Sequence, residues 1–386
     1  MTKINSIKFH QKYQGKLNIS SVVNIEGKDT LSTVYTPGVG EVCKEIHKNP
    51  SRLKDLTIAG RTIAVISNGT AVLGFGDIGP KAALPVMEGK SAIFKEFAGI
   101  QSYPICINEK NPKKFIEIVK AIALNFSAIN LEDISAPNCF EIENKLSQQL
   151  DIPVVHDDQH GTAIVTLAAL LGAIKLSGKT KINIAINGAG AAGNAITKIL
   201  VHANDHKLIN IGEIKIFDSK GLISVDRDDL DKYKKELAII TKQNNFCDFK
   251  SGIKDADVFI GVSVKGLLQK SHIKSMNKNA IIFAMANPDP EIMPEDALNA
   301  GAFIVATGRS DFDNQINNAL AYPGMFKGLL SANVKSVTIE HKLSVAKAIY
   351  EYNLPNLTTN NLLPAILDKN IPIVIEKEIV KVVNKD

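Results

Sequence analysis

The sequence is poor in cysteine, in arginine and in long apolar runs, and each shortage excludes a class of protein. Its four cysteines are scattered, with no pair at metal or redox spacing, so we expect reduced thiols and no disulfide framework. Only four of the 45 basic residues are arginines, and the basic residues are not interleaved with aromatic ones. The formal charge of +5 therefore indicates a solvated surface and no nucleic-acid partner.

No apolar run approaches the length that a membrane span requires, so we expect no membrane partner. The N-terminal segment 1–17 alternates polar and lysine-bearing positions, which is typical neither of a secretory signal nor of a transit peptide. We therefore predict a cytoplasmic protein. The length of 386 residues is sufficient for two domains of ordinary size.

The N-terminal part, residues 1–160, combines a predicted hairpin with alternating strands and helices. Residues 62–75 have the pattern of a β-hairpin, with the turn pair Asn68-Gly69 between two apolar strands. From Tyr103 onward, apolar runs alternate with amphipathic helices, and this alternation is typical of parallel sheets. We therefore predict an N-terminal catalytic α/β domain over residues 1–160.

Residues 161–386 have the pattern of a doubly wound, Rossmann-type dinucleotide-binding domain with a helical C-terminal tail. An apolar helix over 162–176 is predicted to connect the two domains. The predicted strands lie at 182–186, 214–217, 258–260, 280–284 and 303–305. The tail from residue 336 is predicted to be helical with interruptions at prolines, and to pack on the body of the protein or on a second subunit.

A glycine-rich loop in this second domain has the context of a dinucleotide site. It follows a predicted strand directly and begins a helix, where a pyrophosphate can approach the helix N-terminus. The next strand ends at Asp218, where a carboxylate would bind the adenosine ribose hydroxyls. Asp218 favours NAD because it would repel the extra phosphate of NADP, whereas Lys220 could accept that phosphate, so both coenzymes stay open. The predicted cofactor contacts are Gly188, Gly190, Ala191, Ala192, Gly193, Asn194 and Asp218.

Two pairs of carboxylates end neighbouring predicted strands. Glu132 and Asp133 follow one strand, Asp157 and Asp158 follow another, and ligands of parallel sheets bind at this edge. Converging carboxylates would repel one another unless a hard cation such as Mg²⁺ or Mn²⁺ lay between them. Ordinary helix caps and surface acids are the alternative interpretation. The second pair is flanked by His156 and His160. Zinc is therefore a further alternative, although no cysteine accompanies these histidines.

Taken together, the motifs resemble the malic enzyme family in its short bacterial-type members, and they span nearly the whole chain. In chain order they are YTPGVG (35–40), GFGDIG (74–79), MEGK (87–90), LED (131–133), HDDQHGT (156–162), GAGAAG (188–193), ANP (286–288) and QINN (315–318). Several motifs that follow one another in the family's order are far more specific than any single one. The resemblance implies oxidation of malate with NAD or NADP, followed by decarboxylation to pyruvate and CO₂.

The resemblance also implies a divalent-metal site in the first domain. Glu132, Asp133 and Asp158 would bind Mg²⁺ or Mn²⁺, with Asp157 supporting them from behind. The metal would bind the 2-hydroxyl and the adjacent carboxylate of malate and lower the pKa of that hydroxyl.

The resemblance assigns catalytic roles to Lys90 and Tyr35. Lys90 would take the hydroxyl proton, for which burial and nearby positive charge must depress its pKa, and Tyr35 would protonate the product carbon. Asn287 and Asn318 would bind substrate carboxylates together with Lys90. Ala71 stands where larger family members carry an arginine that grips malate, so the group binding that carboxylate is left open.

Family members are usually homo-oligomers, so we expect at least a dimer. Other interpretations also fit parts of the pattern. A malolactic-type or oxaloacetate decarboxylase would use the same site without net reduction of the cofactor. An amino-acid dehydrogenase would share the domain order without needing a metal, and a catalytically silent nucleotide-binding protein would keep only the fold.

Overall fold

A computed structural model describes residues 5–384, so the first four residues of segment 1–17 and the last two of the chain lie outside the described residues. The helices are α1 (Ser6–Tyr13), α2 (Lys28–Val34), α3 (Val39–Lys48), α4 (Leu53–Leu56), α5 (Pro80–Ile93), α6 (Pro112–Ile122), α7 (Asn138–Gln149), α8 (Asp157–Ser177), α9 (Ala191–Asp205), α10 (Lys232–Ile240), α11 (Phe249–Gly252), α12 (Lys270–Ser275), α13 (Pro294–Asn299), α14 (Tyr322–Ser331), α15 (Ile339–Asn353) and α16 (Ile371–Val383). The strands are β1 (Thr62–Ser67), β2 (Gln101–Cys106), β3 (Ala128–Leu131), β4 (Val154–His156), β5 (Ile182–Asn187), β6 (Ile211–Asp218), β7 (Gly221–Leu222), β8 (Val258–Gly261), β9 (Ile281–Ala284) and β10 (Ile304–Thr307).

The first sheet is parallel throughout, with strand order β2-β1-β3-β4. The predicted hairpin over 62–75 is wrong. Every residue of β1 is buried, and β2 and β3 pair with its two edges, so β1 has no free edge for a hairpin partner. The residues after β1 form a loop instead, in which Gly69 has a φ of 69° and Leu73 a φ of 49°.

The second sheet has the order β10-β9-β8-β5-β6-β7, and only β7 is antiparallel to its neighbour. All five strands predicted for this domain are present. The chain crosses from β6 on one side of β5 to β8 on the other, so the sheet is doubly wound, as predicted. Ligands of such sheets bind beside the carboxyl ends of the strands at this reversal.

Helix α8 connects the two halves, and it begins five residues earlier than predicted, with Gly178 in the left-handed conformation at its end. Contrary to the expectation about apolar runs, this helix is long and apolar enough to cross a membrane by length and composition alone. Within the protein, 67% of its most apolar 18-residue window is buried. It packs against α9 and α15, as expected of a central core helix.

The C-terminal tail packs on the body of the same chain, which confirms one of the two predicted arrangements. Helix α15 lies against α8, and α16 lies against both α14 and α15. Pro372 does not interrupt a helix, because it occupies the first turn of α16, where a missing backbone N–H costs nothing.

The opposite end of the chain is much less buried. Residues 5–58, which we call the N-terminal arm, contain α1 to α4 and no buried residue. Lys16 Nζ donates a hydrogen bond to the Pro85 carbonyl at 2.8 Å and so ties the arm to α5.

Candidate active site

Three carboxylates converge where two neighbouring strands of the first sheet end. Glu132 and Asp133 follow β3, and Asp158 lies in the first turn of α8, directly after β4. One carboxylate oxygen from each of the three lies within 4.8 Å of the others. The backbone N–H of Asp133 donates to Asp158 Oδ2 at 2.7 Å, which fixes the two loops relative to each other.

The electrostatics of this cluster fit a bound divalent cation. Burial, followed by repulsion among the carboxylates, raises the pKa of Asp133 to about 8. Burial likewise raises the pKa of Glu132 to about 7 and that of Asp158 to about 6. Asp133 Oδ2 is buried without a hydrogen-bond partner among the described residues. A hard cation would satisfy that oxygen and offset the clustered charge. No histidine belongs to this group of described ligand atoms, so the cluster does not support zinc.

Lys90, on α5, is buried against the same carboxylates. Its Nζ lies 2.7 Å from Glu132 Oε1 and 2.5 Å from Asp157 Oδ2, and its side chain is 7% exposed. Burial alone would lower the pKa of Lys90, but the carboxylates of Asp157 and Glu132 outweigh it and hold the pKa well above its ordinary value. This direction is opposite to the expected depression, because negative rather than positive charges surround the ammonium group.

Tyr322 completes the surroundings of Lys90 and was not predicted. Its ring centroid lies 4.1 Å from Lys90 Nζ, within the range of a cation–π contact, and the ring packs edge-on against Phe94. The tyrosine is 1% exposed, and its hydroxyl has no hydrogen-bond partner among the described residues. In the sequence it is an aromatic residue in an apolar helix, which is usually a core position.

Glu143, on α7, holds the turn between β4 and α8 and was also missed. Its carboxylate accepts hydrogen bonds from the backbone N–H of His156 at 2.8 Å and from Gln159 Nε2 at 3.0 Å, and it bonds His160 Nε2 at 3.0 Å. Burial would raise the pKa of Glu143, but His160 and Lys342 outweigh it and lower the pKa to about 2. The charged carboxylate thus forms hydrogen bonds to residues before and after Asp157 and Asp158 in the chain.

Tyr35 and the two asparagines occupy different surroundings. Tyr35 lies at the end of α2 in the N-terminal arm and is 69% exposed. Asn318 lies beside the first turns of α8, since a Cβ added at Gly161 would be 3.0 Å from the Cβ of Asn318. Asn287 is exposed, and its carbonyl oxygen would lie 2.3 Å from a Cβ added at Gly74. The GFGDIG glycine loop, residues 74–79, therefore packs directly on the ANP motif, residues 286–288.

Ala71 has a backbone role at this site. Its N–H donates to the carbonyl of Asp133 at 3.0 Å and so ties the start of the glycine loop to the carboxylate cluster. Its side chain brings no charge, so the loop itself supplies no arginine for malate at this position.

A cleft of about 760 Å³ lies beside the glycine-rich loop of the second domain, and Gly188, Gly190 and Asp218 line it. Gly188 has a φ of 110°, and a Cβ there would lie 2.6 Å from the carbonyl oxygen of Val262. A Cβ at Gly193 would lie 1.7 Å from the carbonyl oxygen of Gly188. Both positions therefore require glycine, as in a loop that approaches a pyrophosphate closely.

Asn194 does not line this cleft. Its side chain is 2% exposed and faces a separate cavity of about 470 Å³, beside Glu143 and Lys198. Its backbone N–H donates to the carbonyl of Gly190 within the helix. Ala191, Ala192 and Gly193 do not line the cleft either, and the cofactor contacts at these four positions stay predictions.

The loop after β3 joins the carboxylate cluster to the cleft. Glu132 and Asp133 lie at its start, and Ala136 and Pro137, only a few residues later, line the cleft. The carboxylate cluster therefore lies one short loop away from the cleft.

Comparisons with known proteins match most of the chain to one family. Residues 14–147 match the family described as malic enzyme, N-terminal domain, and residues 159–383 match malic enzyme, NAD binding domain. The chain is 48% identical over 381 residues to a bifunctional malic/malolactic enzyme of Bacillus subtilis, covering 97% of this chain and 92% of that protein.

Two further similarities involve a longer protein and a solved structure. The chain is 41% identical over 354 residues to an NADP-dependent malic enzyme of Escherichia coli, covering 90% of this chain but only 46% of that protein. The crystal structure of an NAD-dependent malic enzyme from Thermotoga maritima superposes with a TM-score of 0.92 at 40% identity, covering 98% of this chain and 99% of that one.

Proposed function

The chain belongs to the malic enzyme family, an NAD- or NADP-dependent group of oxidoreductases, and on that premise we propose that it oxidises malate and decarboxylates the product to pyruvate and CO₂. The observation that carries the proposal is the burial of Lys90 between Glu132 and Asp157, one short loop away from the coenzyme cleft. We propose the division between a catalytic and a coenzyme domain at residues 160 and 161.

Glu132, Asp133 and Asp158 are the proposed ligands of Mg²⁺ or Mn²⁺. When bound, such a cation would polarise the 2-hydroxyl of malate and stabilise negative charge on that oxygen. Asp157 is 0% exposed and contacts Lys90, so it orients the lysine from behind the proposed ligands.

The chain's own residues then handle the protons and the substrate carboxylates. Lys90 Nζ is the proposed acceptor of the hydroxyl proton while hydride passes to the nicotinamide. This role requires that a cation held by Glu132, Asp133 and Asp158 offset the negative charge that otherwise keeps Lys90 protonated. Tyr35 is the proposed donor of the proton that completes pyruvate. Asn287 and Asn318, beside Gly74 and Gly161, are the proposed hydrogen-bond donors to malate.

A steady-state assay of reduced-nicotinamide absorbance tests the proposal, with L-malate, NAD or NADP, and Mg²⁺ or Mn²⁺. We expect absorbance to rise only when malate and a divalent cation are both present. Lys90→Ala should abolish turnover while coenzyme binding is retained, whereas Lys95→Ala, a lysine of the following turn, should leave turnover unchanged. Absence of any rise with the wild-type chain would refute oxidative decarboxylation.

Malolactic activity is the second candidate, because the Bacillus subtilis relative is named as a malic/malolactic enzyme. In that case malate would yield lactate without net formation of reduced coenzyme. Quantifying pyruvate and lactate in the same reaction separates the two activities. Oxaloacetate decarboxylation is tested by replacing malate with oxaloacetate. Family membership does not favour the amino-acid dehydrogenase or the silent binding protein.

We further propose at least a dimer, because the N-terminal arm exposes many large apolar side chains. Thirteen of the 28 such side chains that are exposed among the described residues lie in this arm, including Ile7, Ile19 and Val22. Apolar patches of this kind mark interaction surfaces. A cytoplasmic location remains a prediction.

A further inference from the structure

Glu291 is a buried carboxylate whose hydrogen bonds come from the backbone and not from a cation. It lies in the loop between β9 and α13, shortly after Asn287, and is 0% exposed. Burial raises the pKa of Glu291, and the groups that lower it again are backbone N–H groups, chiefly those of Ser263 and Ala286. A buried carboxylate without a cation is costly, so the packing of the core does not account for its presence.

The two oxygens of this carboxylate hold two different loops. Oε1 accepts a hydrogen bond from the backbone N–H of Ser263 at 3.0 Å, in the loop that follows β8. Oε2 accepts one from the backbone N–H of Ala286 at 3.0 Å, in the loop that follows β9. Because β8 and β9 are neighbouring parallel strands, both loops begin at the same edge of the second sheet. One side chain therefore fixes the two loops relative to each other.

Each of these loops carries part of the proposed site. Ser263 lines the coenzyme cleft, and its hydroxyl donates to Asn187 Oδ1 at 2.6 Å, at the end of β5. Ala286 directly precedes Asn287, a proposed hydrogen-bond donor to malate. A shift of the Glu291 carboxylate would therefore move the coenzyme side and the substrate side of the site together.

Gly261, the last residue of β8, leaves the space that this carboxylate occupies. A Cβ added at Gly261 would lie 2.4 Å from both Cδ and Oε1 of Glu291, so any larger residue would displace the carboxylate. The backbone carbonyl of Glu291 also accepts from the N–H of Leu268 at 3.1 Å, at the far end of the coenzyme-side loop. Glu291 thus holds that loop at both of its ends.

We propose that Glu291 is a positioning residue that holds the coenzyme-side loop and the Asn287 loop in register, so that one carboxylate sets the geometry for both ligands. The inference rests on the proposed function, which places a coenzyme in the cleft and malate at Asn287. A carboxylate accepts with both oxygens, whereas an amide of the same shape accepts with one and presents N–H donors on the other side. Glu291→Gln therefore sets a donor against one of the two backbone N–H groups, and in a buried place this loss is costly.

Binding measurements test the inference without turnover. NADH and, in parallel, NADPH are titrated against the protein, and the nicotinamide fluorescence is followed, since the chain has no tryptophan to interfere. L-Malate is then titrated into the complex with reduced coenzyme and Mg²⁺, in which malate cannot be oxidised because the coenzyme already carries the hydride. We expect Glu291→Gln to raise the dissociation constants of both the coenzyme and malate by about tenfold. Glu291→Met, which has a similar length and no strong acceptor, should raise both at least as much.

Two further variants separate positioning from a general loss of structure. Glu295→Gln is the matched control, because Glu295 is an exposed acid on the adjoining helix α13, and it should leave both constants unchanged. Gly261→Ala leaves Glu291 itself intact but displaces its carboxylate, so it should also raise both constants. Urea unfolding establishes that each variant is folded under the conditions of the titrations.

The outcomes distinguish this inference from the proposed function. A rise in only one of the two constants would show that the carboxylate does not hold both loops, and would overturn the inference. So would constants within about twofold of the wild-type values in folded Glu291→Gln and Gly261→Ala, since a merely structural residue lowers stability alone. A wild-type chain that binds coenzyme and malate without forming pyruvate or lactate would instead refute the proposed function and leave the role of Glu291 standing.

Discussion

The position of the Lys90 ammonium group depends on two neighbouring aromatic rings, those of Tyr322 and Phe94. Tyr322 presents its ring to the ammonium at 4.1 Å and packs against Phe94, so the lysine has little freedom to leave the carboxylates. The tyrosine hydroxyl, by contrast, is buried without a partner among the described residues. The ring, and not the hydroxyl, is therefore the part that positions Lys90.

This distinction predicts different outcomes for two substitutions of Tyr322. Tyr322→Phe keeps the ring and removes an unsatisfied hydroxyl, so stability should stay equal or rise by about 1 kcal/mol, with kcat retained. Tyr322→Leu removes the ring contact, and we expect kcat to fall by about tenfold to a hundredfold as the ammonium shifts. Urea unfolding and steady-state kinetics measure both effects. Equal losses in both variants would assign the role to the hydroxyl instead.

Glu143 is a positioning residue for the proposed metal ligands. Glu143→Leu removes the acceptor of the His156 N–H and should raise the Mn²⁺ concentration for half-saturation by about tenfold to a hundredfold. Glu143→Gln retains a carbonyl acceptor, so its affinity for Mn²⁺ should fall less than that of Glu143→Leu. Calorimetric titration of Mn²⁺ gives the affinity independently of turnover.

Glu141→Leu, on the same helix, is the control for Glu143 and should leave Mn²⁺ affinity unchanged. If Glu143→Leu binds Mn²⁺ as tightly as the wild-type chain, the hydrogen bonds to the turn do not orient the ligands.

At the scale of elements, the first turns of helix α8 leave no room for a side chain at Gly161, because the carboxylate of Asp157 lies against it. A Cβ added at Gly161 would lie 1.9 Å from Asp157 Oδ1, whereas a Cβ added at Gly89 on α5 meets nothing within 4 Å. Gly161→Ala should therefore displace Asp157 from Lys90, lowering both kcat and the free energy of unfolding, the latter by about 1–3 kcal/mol.

Gly89→Ala is the same kind of substitution, but we expect it to stabilise the protein. It should raise the free energy of unfolding by about 0.5–1 kcal/mol, because alanine restricts the unfolded chain and favours the helix. Urea unfolding of the two variants compares them directly. If Gly161→Ala proved as stable as the wild-type chain, α8 could move to accommodate the methyl group, and the close contact would not be structural.

The elements that the sequence predicted correctly are those with local signals. Buried parallel strands such as β3 and β5 are short apolar runs, and the glycine spacing of the coenzyme loop is read within six residues. The convergence of carboxylates after β3 and β4 followed from the common edge of a parallel sheet. The hairpin failed because Asn68-Gly69 is a local turn signal, while the pairing of β1 with β2 and β3 depends on distant residues.

The residues that the sequence did not reveal act through distant partners. Tyr322 meets Lys90 only after the second domain has folded back on α5, and Glu143 meets His160 across 17 positions. For a related reason, the sequence did not reveal that both carboxylate oxygens of Asp218 accept hydrogen bonds from within the chain, because its position in the motif indicates a free carboxylate. Its three side-chain and backbone donors, Arg227, Lys220 and Lys234, become visible only in three dimensions.

At the scale of the whole molecule, the N-terminal arm is the part that the single chain leaves uncovered. Tyr35 lies in this arm, so its surroundings in the working protein depend on what covers the arm. The proposed second copy of the chain would cover the exposed apolar side chains of the arm. It would then also cover Tyr35 and so change the surroundings of the proposed proton donor.

We therefore expect a substitution that disrupts the apolar surface of the arm to reduce both oligomer formation and enzyme activity. Ile19 is 78% exposed, and Ile19→Asp places a charge in the surface that we expect to be buried between subunits. Light scattering should give a mass of at least twice the chain's 41.8 kDa for the wild-type protein and a lower mass for Ile19→Asp, with reduced turnover of malate. Leu367→Asp, at a site 76% exposed but outside the arm, should change neither. A monomeric wild-type protein with full activity would contradict both the proposed dimer and its link to turnover.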